Sequence, residues 1–158
     1  MHPLDRTDRV LLHALQGDAR LTVKELGVAA GLSPSAAHER VRRLQRDGVI
    51  TGYHASLDPS AIGIGLQALI QVQLTRHNRE TLAEFRAHVL SLPETLSVAH
   101  VTGAMDFLVR VGVRDSDHLR DLALDAFTTR PEVARLETAI VYEHVLAVAW
   151  PVATREDR

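Results

Sequence analysis

The apolar residues between Asp5 and Gly48 recur with the spacing of amphipathic helices, and this pattern predicts three short helices. Asp5 is a suitable cap for the first helix, which should end at Gly17-Asp18 and bury Val10, Leu11, Ala14 and Leu15. A capping box of Thr22 and Glu25 opens the second helix, which should bury Leu26 and either Ala29 or Ala30. Gly31 then marks a turn into the third helix.

The third predicted helix has two faces of opposite character. Ser33 is a favourable N-cap, and Pro34 follows it at the position where the missing N–H does no harm. The core side carries Ala37, Val41 and Leu44, and the opposite side carries Ser35, Glu39, Arg42 and Arg46, flanked by His38 and Arg43. Two short helices, a glycine turn and an arginine-rich outer face predict a helix-turn-helix that enters a DNA major groove.

After Gly48 the apolar spacing becomes that of strands. Val49–Leu57 is predicted to be a strand that would serve as a wing, and the segment from Asp58 to Gly65 a connector. A weak repeat follows, in which Pro93 and Pro131, 38 residues apart, each end a helix and precede a strand. The predicted strands are Leu66–Leu74, Leu96–Val101, Phe107–Val113 and Val133–Val141, with a short additional strand suggested through Leu146–Trp150.

The two helices of this repeat are predicted to bury Leu82, Phe85, Val89 and Leu92 in one case and Leu119, Leu122, Ala126 and Phe127 in the other. Two β-α-β units joined in this way predict a four-stranded antiparallel sheet with both helices on one face. The strand Leu66–Leu74 is apolar on both alternations over part of its length, so a second copy of the chain is expected to cover the other face.

The predicted fold class is therefore α+β, with two domains. Residues 1–60 are expected to form a winged helix-turn-helix DNA-binding domain. Residues 61–158 are expected to form a ferredoxin-like βαββαβ domain that senses a ligand and joins subunits.

Charge is distributed unevenly along the chain. The net charge of −2 argues against nucleic acid, but residues 1–60 hold eight basic and seven acidic side chains, whereas the remainder holds ten and thirteen. Ser33–Arg46 contains four arginines and a single acid, Glu39, so the positive charge is local to one helix.

Composition excludes several other classes of protein. The chain has no cysteine, which rules out disulfides, thiolate chemistry and cysteine-ligated zinc. It contains no secretory h-region and no long uncharged apolar stretch, so a cytoplasmic protein without membrane association is expected. Walker A, GxGxxG and nucleophile-elbow motifs are all absent from the sequence, and we predict neither catalytic residues nor a cofactor.

The predicted DNA contacts divide into two groups. Ser35, His38, Glu39 and Arg42 lie in the first half of the helix and are candidates for base edges. Arg43 and Arg46, with the N–H groups around Ser33, Pro34 and Ser35, are candidates for phosphates. Arg40 lies near the core side, where it could contact a phosphate or pair with Glu25. The alternative interpretation is a solvated surface, on which Glu39 and Arg43 form an ordinary i,i+4 pair.

Short motifs distributed along nearly the whole chain resemble the Lrp/AsnC (feast/famine) family of transcription regulators. Those of the N-terminal half are Leu4-Asp5-Arg6-Thr7-Asp8, Asp18-Ala19-Arg20, Glu25-Leu26, Leu32-Ser33-Pro34-Ser35, Arg40-Val41, Leu44, Gly48-Val49-Ile50 and Gly52-Tyr53. Those of the C-terminal half are Leu92-Pro93-Glu94, Val101-Thr102-Gly103 and Asp106. Each motif is weak alone, and their order and spacing make the resemblance specific.

This resemblance implies a homodimer that assembles further into tetramers or octamers, binds double-stranded DNA, and binds an amino acid or related metabolite between its C-terminal domains. It also implies the effector residues, which are Val101, Thr102, Gly103, Ala104, Met105 and Asp106 in a hairpin loop and Leu136 and Thr138 in the last main strand. Many relatives have an aromatic residue at the position of Met105 and a threonine at that of Leu136. The apolar residues here favour an apolar effector side chain or an empty site.

Elementary chemistry supports this effector pocket in part. Asp106 could accept from a ligand ammonium, and the N–H groups of Thr102–Ala104 could bind a carboxylate. The simpler interpretation is a tight hairpin in which Gly103 supplies a positive φ and Asp106 caps the turn.

Other classes of function remain open at this point. In one alternative the chain is an architectural DNA-binding protein whose C-terminal domain only oligomerises, without a ligand. A metal site is not expected, although His100 and His144 could face one another across strands. RNA binding is disfavoured because aromatic residues make up only 4% of the chain.

Overall fold

The computed structural model describes residues 3–147 and 149–152, which divide into two compact units. One unit contains the described residues up to Ser56 together with those from Val145 onward, and the other is Leu57–His144. The C-terminal segment thus groups with the first unit, whereas the sequence prediction assigned it to the second domain. None of the described helices is long and apolar enough to cross a membrane.

The described residues of the first unit contain three helices: α1 (Arg6–Gly17), α2 (Val23–Ala30) and α3 (Pro34–Arg46). Each begins at the predicted cap. Asp5 and Thr22 form capping boxes with Asp8 and Glu25, and the Ser33 hydroxyl accepts a hydrogen bond from the Ala36 N–H. These local hydrogen bonds satisfy backbone donors that a helix start leaves without partners, which explains why the starts were predictable.

The core of the first unit follows the predicted helix faces, with Val10 as the exception. Its buried and partly buried members are Leu11, Ala14, Leu15, Leu21, Leu26, Ala30, Leu32, Ala37, Val41 and Leu44. Val10 was predicted to be buried but lies at the edge of its helix face and is exposed. Of the two alanines considered on α2, Ala30 packs because it lies four residues after Leu26, and Ala29 is exposed.

The turn between α2 and α3 depends on two glycines. Gly31 has a φ of 66°, in the left-handed region that ends α2. Because Gly27 has no side chain, the backbone at Leu32 can approach it closely, and the Leu32 N–H donates to the Gly27 carbonyl at 2.8 Å. A Cβ atom on Gly27 would lie 2.8 Å from the Leu32 carbonyl oxygen.

The predicted strand Val49–Leu57 is wrong, and with it the predicted wing. The N–H groups of Val49 and Ile50 instead donate to the Leu44 carbonyl at the end of α3, and the following residues are irregular. A strand requires a neighbouring ladder, and none of the described segments provides one here. The described residues of Leu146–Trp150 also form no strand, and Val148 lies outside the described residues.

The second unit has the predicted order of elements. After a short 3₁₀ turn at Ser60–Ile62 come β1 (Leu66–Leu74), α4 (Arg79–Ser91), β2 (Thr95–His100), β3 (Phe107–Val113), α5 (Ser116–Leu122) and β4 (Val133–Val141). The strands form one antiparallel sheet in the order β2-β3-β1-β4. Three predicted strands match exact residue bounds, while β2 begins and ends one residue earlier than predicted.

One face of this sheet carries the hydrophobic core. Ala68, Ile70, Val72 and Leu74 alternate on β1 and pack with Phe85 and Val89 of α4 and with Leu119, Leu122 and Phe127 of the second helical region. The rings of Phe85 and Phe107 lie 4.9 Å apart. Both helices therefore cover the same face, as the repeat predicted.

The opposite face, called here the open face, follows from the strand register. Leu69 pairs with Arg110 on one side and with Ala139 on the other, and Gln71 pairs likewise with Leu108 and Glu137. The residues that this register places on the open face are Gln67, Leu69, Gln71, Gln73, Ser97, Ala99, Leu108, Arg110, Gly112, Arg135, Glu137, Ala139 and Val141.

The second helical region changes geometry along its length, which the sequence did not indicate. Ala123–Thr128, directly after α5, is a π-helix. The carbonyl of Ala126 in this wider turn has a side-chain partner, because the ring Nε2 of His88 lies 2.8 Å from it. Ala126 and Phe127 contribute to the core as predicted.

Candidate DNA-binding and effector sites

The outward face of α3 is accessible as a continuous polar surface. Its exposed members are Ser33, Pro34, Ser35, His38, Glu39, Arg42 and Arg46. The Ser33 and Ser35 hydroxyls lie 3.1 Å apart at its beginning. Glu39 contacts Arg46 at 3.4 Å, and both side chains are about two-thirds exposed, so this ion pair is weak.

Two of the four arginines on α3 are instead directed towards α1. Arg43 reaches both Asp8 carboxylate oxygens at 2.6 Å, and Arg40 reaches Asp8 at 2.9 Å and Asp5 at 2.5 Å. The Asp8 side chain is only 1% exposed, so its charge depends on these guanidinium groups. We call Asp5, Asp8, Arg40 and Arg43 the α1–α3 charge cluster.

The charge cluster alters the ionisation of its outer members. The hydrogen bond from Arg40 is the main cause that lowers the pKa of Asp5, with the Asp8 backbone N–H adding to it. The same contact with Asp5, followed by that with Asp8, raises the pKa of Arg40. Both shifts favour the charged forms of Asp5 and Arg40, so this pair forms an ion pair at neutral pH.

This arrangement changes two interpretations made from the sequence. Arg40 does not pair with Glu25, which caps α2 through Thr22. Arg43 pairs with Asp8 and not with Glu39. The local positive charge of the outward face consequently comes from Arg42 and Arg46, and not from all four arginines.

The predicted effector loop connects β2 to β3. Thr102, Gly103 and Ala104 are exposed, and Val101 and Met105 are half-buried. Gly103 has a φ of 120°, a conformation that favours glycine. The loop is closed by a hydrogen bond from the Val101 N–H to the Asp106 carbonyl, at 2.9 Å.

Asp106 has an internal structural role in this loop. Its carboxylate accepts from the Leu74 N–H at 2.7 Å and lies 2.9 Å from Nε2 of His77, and the residue is 9% exposed. It therefore binds backbone at the end of β1, whereas the simpler interpretation had it cap the hairpin turn itself. No pattern in the sequence indicated His77, because nothing in its spacing relates it to Asp106.

The remaining two predicted effector residues lie on a different strand. Leu136 and Thr138 belong to β4, where they pair with Val72 and Ile70 of the neighbouring strand β1. Because β1 lies between β3 and β4 in the sheet, Leu136 and Thr138 are separated from the hairpin loop of the same chain. Leu136 is half-buried against the core, and Thr138 is exposed.

The suggested pairing of His100 with His144 is wrong. His100 ends β2, at one edge of the sheet, and His144 follows β4, at the other edge. His100 stacks instead on Phe107, with ring centroids 4.9 Å apart.

A trihelical unit with an accessible, arginine-bearing third helix, followed by a ferredoxin-like sandwich, defines a DNA-binding regulator with an appended sensory domain. Residues 4–45 match the AsnC-type helix-turn-helix domain, and residues 67–150 match the Lrp/AsnC ligand binding domain. The chain belongs to the Lrp/AsnC family of transcriptional regulators.

Individual relatives support this assignment, and the similarity extends over most of their length. The chain is 39% identical to the HTH-type transcriptional regulator AldR of Mycolicibacterium smegmatis, over 90% of this chain and 83% of that protein. It is 36% identical to the leucine-responsive regulatory protein of Escherichia coli K12, over 90% and 87%. A transcriptional regulator of Neisseria meningitidis, crystallised with L-Met, superposes with a TM-score of 0.83 at 32% identity, covering 91% of this chain and 93% of that one.

Proposed function

We propose that this regulator reads a palindrome-like DNA site through the outward face of α3. Ser35, His38, Glu39 and Arg42 face base edges, and Arg46 contacts a phosphate. The observation that carries this proposal is the contrast between the arginines of α3. Arg40 and Arg43 are held by carboxylates, whereas Arg42 is exposed and makes no ion pair within residues 3–147 and 149–152.

The start of α3 supplies a second type of contact. Ser33, Pro34 and Ser35 form an exposed first turn, where N–H groups and the helix dipole favour a phosphate oxygen. Two such helices, one from each subunit, would lie about 34 Å apart, or a multiple of that distance, to enter successive major grooves. Arg40 and Arg43 are positioning residues in this account, because they fix α3 against α1.

The protein acts as a homodimer, formed across the open face of the sheet, and dimers associate into tetramers or octamers. Leu69 and Leu108 place apolar area on this face, and the buried Nε of Arg110 has no hydrogen-bond partner among the described residues. A second sheet would bury the leucines and could supply an acceptor for Arg110.

The effector is an amino acid bound between C-terminal domains of different chains. Because β1 separates the hairpin loop from Leu136 and Thr138 within one chain, a second copy would bring the two groups together. Met105 and Leu136 favour an apolar effector side chain, and the related regulator from Neisseria meningitidis was crystallised with L-Met. Such binding would change the population of assemblies and thereby the occupancy of DNA.

A thermal-shift screen of the full chain against the twenty amino acids tests the effector proposal. We expect an apolar amino acid at 100 times its Kd to stabilise the protein by about 2.7 kcal/mol and to change DNA affinity in parallel. If none of the twenty changes stability or DNA affinity, the architectural alternative without a ligand is favoured.

A further inference from the structure

Arg110 lies on the open face of the sheet without a charged partner in the described part of its own chain. The residue is half-buried, its Nε is buried without a hydrogen-bond partner, and it forms no ion pair within residues 3–147 and 149–152. Its neighbours in the strand register are Leu69 of β1 and Ser97 of β2. A guanidinium that is partly removed from water is costly to leave unpaired, so an acceptor from a second molecule would stabilise it.

The open face itself carries one suitable acceptor. Glu137 of β4 is the only acidic residue that the strand register places there, and Arg110 and Arg135 are the basic ones. Oε1 of Glu137 contacts Arg135, but the two side chains are 43% and 61% exposed, and an ion pair this exposed is weak. Oε2 of Glu137 accepts no hydrogen bond from the described residues, so the carboxylate can bind a second guanidinium.

Arg110 and Glu137 do not meet within one chain, because β1 lies between their strands. Arg110 pairs with Leu69 of β1, and Glu137 pairs with Gln71, two residues further along the same strand. Two strand spacings and one two-residue step therefore separate the Cα atoms of Arg110 and Glu137 by about 12 Å. The side chains of Leu69 and Gln71 occupy the face between them.

Two-fold symmetry can supply the contact that one chain lacks. In a symmetric dimer, a contact of Arg110 with Glu137 of the partner subunit is accompanied by the reciprocal contact. A two-fold axis between the two sheets, passing over β1 near Leu69 and Gln71, would bring Arg110 of each subunit towards Glu137 of the other. Sheets pack about 10 Å apart, a distance that these two long side chains can span together. Leu69 would then lie between the two ion pairs, near the axis.

We infer that Arg110 forms an ion pair with Glu137 of the partner subunit, twice in each dimer, and that this pair selects a second copy of the same chain as the partner. The pair rests on the proposed dimer across the open face, and it determines the register of the two sheets. A partner chain without a carboxylate at this position would leave Arg110 buried and unpaired, which disfavours that complex.

An exchange of charges between two full-length variants tests this ion pair. Arg110→Glu and Glu137→Arg should each weaken dimerisation by at least about 100-fold, because like charges then face each other at both pairs. An equimolar mixture of the two variants should form dimers, since both pairs of the heterodimer again join opposite charges. The double variant should form dimers for the same reason. Sedimentation velocity at micromolar concentration gives the assembly state, and circular dichroism confirms folding.

Arg114→Glu is the matched control, because Arg114 is exposed directly after β3 and lies outside the open face. This variant should remain dimeric, and it should not restore dimers of Glu137→Arg. Arg110 is half-buried, so Arg110→Gln and Glu137→Gln are the milder variants to use if a reversed charge unfolds the chain. A double-mutant cycle of these two should give a coupling of about tenfold in the dimer dissociation constant, and no coupling would contradict the pair.

Three results of the charge exchange would overturn the inference, and they separate it from the proposed dimer. If Leu69→Arg dissociates the dimer but neither charge variant does, the open face is the interface and the ion pair is absent. If both charge variants dissociate and neither their mixture nor the double variant recovers dimers, the two side chains do not meet. If Leu69→Arg leaves the dimer intact, the subunits associate elsewhere, and the proposed dimer fails together with the ion pair.

Discussion

Arg42 and Arg43 are neighbours in the sequence, yet the fold gives them opposite roles. Arg43 is held by the buried carboxylate of Asp8, 35 residues away, whereas Arg42 remains on the outward face of α3. Sequence periodicity placed both on or beside the polar side of the helix. It did not reveal the pairing, because a contact over that separation depends on how α1 and α3 pack. A buried acid at the third position of a helix looks like an ordinary capping residue in sequence.

The charge cluster predicts a stability cost at Asp8. Asp8→Asn should lower the free energy of unfolding by about 1–3 kcal/mol, because Arg40 and Arg43 lose their buried partner. Asp18→Asn is the control, since Asp18 is exposed and an amide can still accept from the Arg20 N–H. Urea denaturation followed by circular dichroism measures both. Equal stability of the two variants would show that the cluster does not stabilise α3 against α1.

The lowered pKa of Asp5 predicts how the free energy of unfolding changes with pH. Arg40 lowers the pKa of Asp5 below its ordinary value of 3.8. The group therefore contributes stability above that value, and the contribution is lost as the pH falls through the lower pKa of the folded state. Asp5→Asn keeps a good N-cap but removes the charge. The difference in unfolding free energy between wild type and variant should shrink from about pH 5 to about pH 3. A constant difference would contradict this origin.

At the scale of elements, the features that depend on local chemistry were predictable and those that depend on neighbours were not. The helix starts at Asp5, Thr22 and Ser33 use side chains within three residues, and the alternation of β1 is set by burial on one face. Val49–Leu57 has the composition of a strand but finds no ladder among the described residues. The π-helix at Ala123–Thr128 likewise has no mark in the apolar spacing.

The close backbone approach at Gly27 predicts that alanine is costly there and tolerated at Gly17, the last residue of α1. Gly27→Ala places a Cβ atom 2.8 Å from the Leu32 carbonyl oxygen, so the turn must shift, at a cost of about 1–3 kcal/mol. Gly17→Ala has no atom within 4 Å and should be neutral or stabilising by up to about 1 kcal/mol. Thermal melting and DNA affinity of both variants test this. The account is contradicted if Gly27→Ala retains wild-type stability.

At the scale of the whole molecule, the sequence predicted two domains and their fold class, and it predicted the effector residues only as two separate groups. Within one chain β1 keeps Leu136 and Thr138 apart from the hairpin loop. The proposed site would be completed by another copy, and such a site leaves little signal in the pattern of one chain. The family assignment and the open face both support the proposal that the protein acts as an assembly of subunits.

The open face predicts that one substitution dissociates the dimer. Leu69→Arg places a charge at the centre of that face, between Arg110 and Ala139, and should convert dimers to monomers at micromolar concentration. Leu90→Arg is the control, because Leu90 is 60% exposed on α4. Sedimentation velocity gives the assembly state, and circular dichroism confirms folding. A folded Leu69→Arg dimer would mean that subunits associate elsewhere.

Selection of DNA from a random pool by the full-length protein, followed by sequencing, tests the central claim most directly. The wild type should enrich paired half-sites of two-fold symmetry, spaced by about one helical turn or a multiple of it. Arg42→Ala should lose base preference at one position of each half-site, whereas Arg46→Ala should weaken all sequences alike and reduce the salt dependence. Enrichment of no paired motif, or an unchanged motif in Arg42→Ala, would contradict the assignment of the outward face of α3 as the surface that reads DNA.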